Sequence, residues 1–202
     1  MQIDHLVFAG PDLDDAAASV TTILGVPPVP GGRHAGFGTH NRLLGLGGGA
    51  YLEVIGSDPA QGEPPEPRPF GIDGMAGPRL VAWAVRSTSI VADVARAGAA
   101  GIELGPITSM QRTRPDGVLL RWSLTPPQAG PLPFLIDWGE TPHPTADLVS
   151  GPHLRALAVE TPAAASVART LDVLGVDVEV RSASTERLVA TIEVAGAEVH
   201  FD

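Results

Sequence analysis

The chain has no cysteine among its 202 residues. That excludes disulfides, thiolate nucleophiles, iron–sulfur clusters and zinc sites built on sulfur, and is the usage expected of a reducing compartment. Lysine is also absent, since all 13 cationic residues are arginine. Schiff-base chemistry, a P-loop and a lysine general base are therefore ruled out. Positive charge is scarce overall: 23 acidic residues leave a net charge of −10. Such a surface repels phosphate backbones, so nucleic acid is not an expected partner. No apolar run is long enough to span a bilayer, and the start, Met-Gln-Ile-Asp, carries no basic leader. These features lead us to expect a cytoplasmic protein with no membrane partner. Any metal would have to sit on histidine, aspartate or glutamate.

What is present is a repeat. A short apolar strand, an Ala-rich helix and then a glycine recur from Val7 to Gly25, from Trp83 to Gly101 and from Leu157 to Gly175, with eighteen positions between the ends each time. The first helix opens at Asp12, with Asp14 and Asp15 at its positive end, and stops at Gly25. The second is expected from about Ser89 to Ala100. The third is expected to open on Thr161 as N-cap and Pro162 in the first turn. Strands follow each helix: Asn41 to Leu46 and Tyr51 to Gly56, then Val118 to Leu124 and Phe134 to Trp138, then Leu188 to Val194 and Glu198 to Phe201. The expected organisation is a first βαβββ module over 1–58, a second over 79–140, and a third, shorter βαββ module over 151–202. Gly56 to Pro78, with six prolines, and Gly139 to Pro152 read as linkers. Within the first linker Phe70, Ile72 and Met75 are expected to dock on the protein.

Three segments, IDHLVFAGPDLDDA, GGRHAGFGTHNRLLGLG and YLEVIG, together resemble the vicinal oxygen chelate superfamily, and within it the glyoxalase-like branch. The resemblance implies an α+β fold of repeated βαβββ modules, with sheets curled around a cleft and helices outside. It also implies a divalent metal, Zn, Ni, Mn or Fe, held by side chains from the first and last strands of two modules.

Strand alternation tests that implication separately, because residues two apart share a face. If Leu6 and Phe8 pack under the helix, His5 faces away from it. If Leu52 and Val54 do likewise, Tyr51 and Glu53 join His5 on the free face. A histidine and a carboxylate suit such metals, so His5 and Glu53 are metal candidates, and Glu53 is also a candidate proton carrier. Asp137 is a third metal candidate, provided that Phe134 and Ile136 pack toward the helix. Shifting His5 by the seventy-six residues of the repeat reaches Val81, beside Ala82 and Trp83, and none of these can ligate. Tyr51, the only tyrosine, is a catalytic candidate as an acid or hydrogen-bond donor.

A two-residue turn at Gly48 and Gly49 would set Leu44 opposite Glu53 and put His40 and Arg42 on the cleft face, although a one-residue change of turn would flip both. With Arg121 and Trp83 they make up the substrate-binding candidates. Pairing with an acid such as Asp137 is the competing role for Arg121. The GGRH…GTH stretch reads either as a glycine-rich turn or as a ligand loop. His143, His153 and His200 are expected in solvent or structural roles.

The function expected is that of a small-molecule enzyme of lyase, isomerase or dioxygenase type, using a metal to polarise adjacent oxygens. A metal-free protein that sequesters a small molecule, like the bleomycin-resistance members, is the alternative. A noncatalytic interaction module is a third. Because three modules leave one without an evident partner, a homodimer is expected.

Overall fold

A computed structural model describes residues 1–113, 117–148 and 151–202. The first unit runs β1 (Ile3–Asp12), α1 (Leu13–Leu24), β2 (Val29–His34), β3 (Thr39–Gly45) and β4 (Tyr51–Ser57). The second runs β5 (Arg79–Arg86), α2 (Ile90–Ala99), β6 (Thr108–Thr113), β7 (Leu119–Leu124) and β8 (Phe134–Asp137). The third runs β9 (His153–Thr161), α3 (Ala164–Leu174), β10 (Glu179–Ser182), β11 (Arg187–Val194) and β12 (Ala197–Phe201). Every unit thus has a strand directly after its helix that alternation did not disclose. In the third, β10 adds a strand to the expected βαββ.

Local chemistry sets the helix ends. Asp12 Oδ1 accepts from the backbone N–H groups of Asp14 (2.8 Å) and Asp15 (3.0 Å) at the start of α1, and Gly25 closes it at φ 68°. The third helix starts later than expected. Thr161 Oγ1 accepts from Ala163 N (3.2 Å), so it caps the turn before α3 and not the helix itself.

The first two units share one eight-stranded sheet, in the order β2-β3-β4-β1-β5-β8-β7-β6. At its centre β1 and β5 run antiparallel, while β4 lies parallel to β1 and β8 parallel to β5. The sheet curls until its two edge strands approach each other. Arg112 of β6 lies against the backbone of Gly32 in β2 so closely that a Cβ there would stand 2.7 Å from Arg112 Cδ.

The two faces of this sheet bury different cores. Leu6, Phe8, Leu52, Val54, Trp83 and Val85 pack outward against the helices, while Val7, Leu43, Tyr51, Ile55, Phe134 and Ile136 pack inside the curl. Phe70, Ile72 and Met75 of the proline-rich crossover join the inner cluster and are at most 9% exposed, so this segment docks on the protein.

The third unit forms a separate sheet, β10-β9-β11-β12. Its Leu157, Val159, Ala190, Ile192 and Phe201 belong to the outer core, with the Phe201 ring 4.8 Å from that of Phe8. Leu154 N also donates to Leu46 O at 2.8 Å. The third unit therefore finds its partner within the chain, on the helix-bearing side, which removes the ground for expecting a homodimer from the module count.

Candidate functional site

The inner face of the curl encloses a cavity of about 240 Å³. Its polar end comes almost entirely from the first unit. Side chains of paired antiparallel residues share a face, so the register decides which of them enter. Leu43 pairs with Glu53 and Asn41 with Ile55, one residue away from the register expected for a two-residue turn. The cause is the loop: Leu46 N donates to Ala50 O (2.9 Å), which leaves a three-residue turn, Gly47, Gly48 and Gly49, all at positive φ. Only glycine adopts three such conformations in succession without strain. The shift turns Thr39, Asn41 and Leu43 into the cavity and turns His40 and Arg42 away from it. Arg42 instead pairs with Asp14 on α1.

His5 and Glu53 do meet in the cavity. Their Nε2 and Oε2 atoms are 3.8 Å apart, too far for a hydrogen bond. Tyr51 stacks on the His5 ring at 4.7 Å between centroids, and burial pushes its hydroxyl well above the usual phenol range, with Asp4 and Glu53 adding to the effect.

Four further polar residues complete this end, Asn41, Thr39, Arg112 and His34, the last belonging to the stretch read as a turn or a ligand loop. Asn41 Nδ2 donates to Glu53 Oε1 (2.5 Å) and to His34 Nε2 (3.3 Å). His34 Nδ1 in turn reaches Thr39 Oγ1 at 3.0 Å. This network assigns the proton of neutral His34 to Nδ1, and burial, outweighing the attraction of Glu53, lowers its pKa from the ordinary 6.5. The Asn41 Oδ1 atom accepts from Gly32 N (2.9 Å) and from Arg112 Nη1 (3.2 Å). Gly31 and Gly32 are thus a floor: a Cβ at Gly31 would fall 2.2 Å from Asn41 Oδ1. The glycines of GGRH exist for this close approach, and His34 alone of the two histidines around the turn reaches the cavity.

Behind His5 stands Asp4, fully buried. Neighbours on a strand should point to opposite faces, but the β1–β5 register slips between Ile3 and His5, so Asp4 is the extra residue of a β-bulge. Its carboxylate meets His5 Nδ1 (2.8 Å), Arg86 Nε (2.8 Å), His143 Nε2 (3.0 Å) and Trp138 Nε1 (3.2 Å). Burial works against its charge, yet hydrogen bonds from His143 and His5 outweigh that and hold the carboxyl far below the usual range. The ionised Asp4 accepts only, so His5 keeps a proton on Nδ1 and a neutral ring turns its Nε2 lone pair toward Glu53.

The second unit supplies walls. Phe134 and Ile136 of β8 line the cavity, which sends Asp137 to the other face. There Asp137 accepts from Ile90 N (3.2 Å) and Gly139 N (2.9 Å), capping α2 where Ser89 offers no side-chain bond. Asp137 is therefore a helix cap and not a ligand. Trp83 is fully buried in the outer core and donates to Pro131 O (3.1 Å), away from the cavity. Arg121 alternates with the cavity-lining Trp122, so its exposed side chain is also on the outer face.

These positions test the fit of a divalent metal. Among the described residues no group of three His, Asp or Glu side chains is disposed to hold one. On the inner face of β5 stand Ala82 and Ala84, and on that of β8 Phe134 and Ile136. Near Glu53 come an amide N–H and the Arg112 guanidinium, which repels a cation. The donor set does not fit the expected metal.

Comparison with solved structures gives the fold independently. A hypothetical protein from Staphylococcus aureus superposes with a TM-score of 0.70 at 15% identity, covering 99% of this chain and 98% of that one. Methylmalonyl-CoA epimerase from Mycobacterium tuberculosis aligns over 71% of this chain and 91% of its own, at 18% identity and a TM-score of 0.44. No curated protein matches the sequence. A family model does, that of the glyoxalase-like domain, over residues 3–150. Since that span contains both halves of the large sheet and every residue lining the cavity, the chain belongs to the glyoxalase-like domain family, of the vicinal oxygen chelate type.

Proposed function

We propose that the protein is a metal-independent small-molecule enzyme of isomerase or lyase type, in which Glu53 carries the proton. The observation behind this reading is the Asp4–His5–Glu53 alignment at the polar end of an apolar cavity; His34 Nε2 stands 3.7 Å from Glu53 Oε1 but is bonded to Asn41, and among the described residues no three His, Asp or Glu side chains are disposed to hold a metal. Glu53, held by Asn41, removes a proton from the carbon next to a ligand carbonyl. The electron pair moves onto the carbonyl oxygen, where the Arg112 guanidinium and the Asn41 amide region supply positive potential that is already in place. Returning the proton to a neighbouring atom completes an isomerisation with no co-reactant. His5, fixed in one tautomer by Asp4, keeps a proton acceptor facing Glu53, where it can take on the proton that Glu53 removes. A second reading, sequestration without chemistry, is favoured by the apolar walls.

One experiment separates the two. The untagged protein is incubated with 2-tetralone, a two-ring ketone, in deuterated buffer, and loss of the α-proton signals is followed by NMR. Acceleration over buffer that survives a chelator and is lost in Glu53→Gln is expected. Binding without acceleration would leave sequestration, and acceleration abolished by the chelator would overturn the metal-independent reading.

A further inference from the structure

The chain has five phenylalanines, three tryptophans and one tyrosine, a sparse set of nine aromatic residues. Six of the nine, Phe37, Tyr51, Phe70, Trp122, Phe134 and Trp138, line this one cavity. Core packing does not demand such a concentration, since the larger outer core contains only Phe8, Trp83 and Phe201. Nor do the six share an element: they converge from the β2–β3 turn, β4, the crossover, β7, β8 and the residue after β8. Phe70 reaches its place at φ 62°, a conformation that costs a residue with a Cβ about 1 kcal/mol or more. Its ring stands 6.4 Å from that of Phe134, and Trp122 stands 5.4 Å from Trp138. At these centroid distances, tilted by 40° in each pair, the rings pack on one another and present an aromatic wall to the cavity.

The polar end adds a second requirement. Glu53 Oε1 is taken by Asn41, while Oε2 faces His5 Nε2 across 3.8 Å. In the neutral tautomer that the Asp4 bond selects, both facing atoms are acceptors, and among the described residues no donor lies between them. A cavity of about 240 Å³ is also smaller than the sites that take drug-sized ligands.

We propose that the ligand is a flat aromatic molecule of one or two rings carrying an O–H or N–H donor, as in a phenol or an enol, which bridges Glu53 Oε2 and His5 Nε2. This rests on the metal-free reading above, and it names the ligand class that such a site selects. Proton removal from a ketone produces an enolate, whose protonation on oxygen gives such an enol.

The test uses the full chain and three probes of matched size: 2-naphthol, 2-methoxynaphthalene, which lacks the donor, and decahydro-2-naphthol, which lacks the aromatic rings. Dissociation constants come from saturation-transfer NMR titration. 2-Naphthol should bind about tenfold or more tighter than either comparison molecule, the size of one hydrogen bond to a charged group. Glu53→Gln should narrow the gap to 2-methoxynaphthalene. Equal affinity for 2-naphthol and 2-methoxynaphthalene would overturn the donor requirement. Equal affinity for 2-naphthol and decahydro-2-naphthol, or no binding of any probe, would overturn the aromatic one. These results leave tetralone exchange unaffected. Conversely, failed exchange with the naphthol preference intact removes the proposed reaction and keeps the ligand class.

Discussion

The two halves of the large sheet share a topology and divide the labour of the cavity between them. The first half contributes His5, His34, Asn41, Tyr51 and Glu53, the second Trp122, Leu124, Phe134, Ile136 and Trp138. Arg112 is the one charged side chain that the second half sends across among the described residues lining the cavity. Duplicated modules can place ligating groups symmetrically; here one copy supplies the polar end of the cavity and the other its walls. Where β1 presents His5, the paired position on β5 is Ala84.

The largest way to disturb this division is to hollow the walls. Phe134 is 6% exposed and meets the His5 ring edge-on at 5.4 Å. Phe134→Ala should cost about 3–4 kcal/mol of stability by urea unfolding, as buried Phe→Ala changes do. Affinity for aromatic probes should fall with it, while the tautomer of His5, read from ring nitrogen NMR shifts, stays unchanged.

Asp4→Asn strikes the buried base of the polar half. It leaves Arg86 and His143 facing an uncharged amide, and a loss of about 3 kcal/mol is expected, as for other broken buried pairs. The sign with pH follows from its lowered pKa. Asp4 stabilises the fold above the unfolded carboxyl value of about 3.9, and that stability drains away as the pH falls below it. Thermal melts of wild type and Asp4→Asn should therefore converge in acid. A constant gap from pH 7 to pH 2 would contradict this.

Gly32→Ala tests the contact between the two edge strands. The added methyl meets Arg112 Cδ at 2.7 Å and Nη1 at 2.8 Å, so the guanidinium must move. A loss of about 1–2 kcal/mol is expected from overpacking. Tetralone exchange should slow more than probe binding weakens, because the oxyanion loses its charge partner before the rings lose their walls.

The smallest effect belongs to His34. Its pKa is below the ordinary 6.5, so the unfolded chain binds a proton first as the solution is acidified. Stability should fall as pH drops through and below that value, and His34→Gln should flatten this slope in melts taken between pH 7.5 and 5.5.

Much of the scaffold was legible, and the reasons differ along the chain. The helices announced themselves through Ala-rich periodicity, α1 also through its Asp12 cap, and Leu6, Phe8, Leu52 and Val54 fixed which faces of β1 and β4 point outward. That was enough to bring His5 and Glu53 together. β2 and β6 were not legible, because VPGGRH and TSMQRT lack apolar alternation; Arg112 was lost with β6, and His34 was reached only as part of a stretch that read equally as a turn. His40 and Arg42 were misplaced by one residue of turn length. Asp137 and Trp83 failed for a deeper reason: both faces of the second half are apolar, one against helices and one around a cavity, so hydrophobicity could not say which was which. Asp4 was hidden by a bulge, a break in the alternation that pattern reading assumes.

The seam between β2 and β6 has a mechanical consequence. Elsewhere in the large sheet, neighbouring strands are joined by ladders of backbone bonds, but among the described residues no ladder joins these two edges. What crosses the gap is the Arg112–Asn41 contact over a bare glycine floor. Among the described residues this joint is a side-chain contact while every other joint of the sheet is a main-chain ladder, so the spacing of the two edges depends on the conformation of a guanidinium.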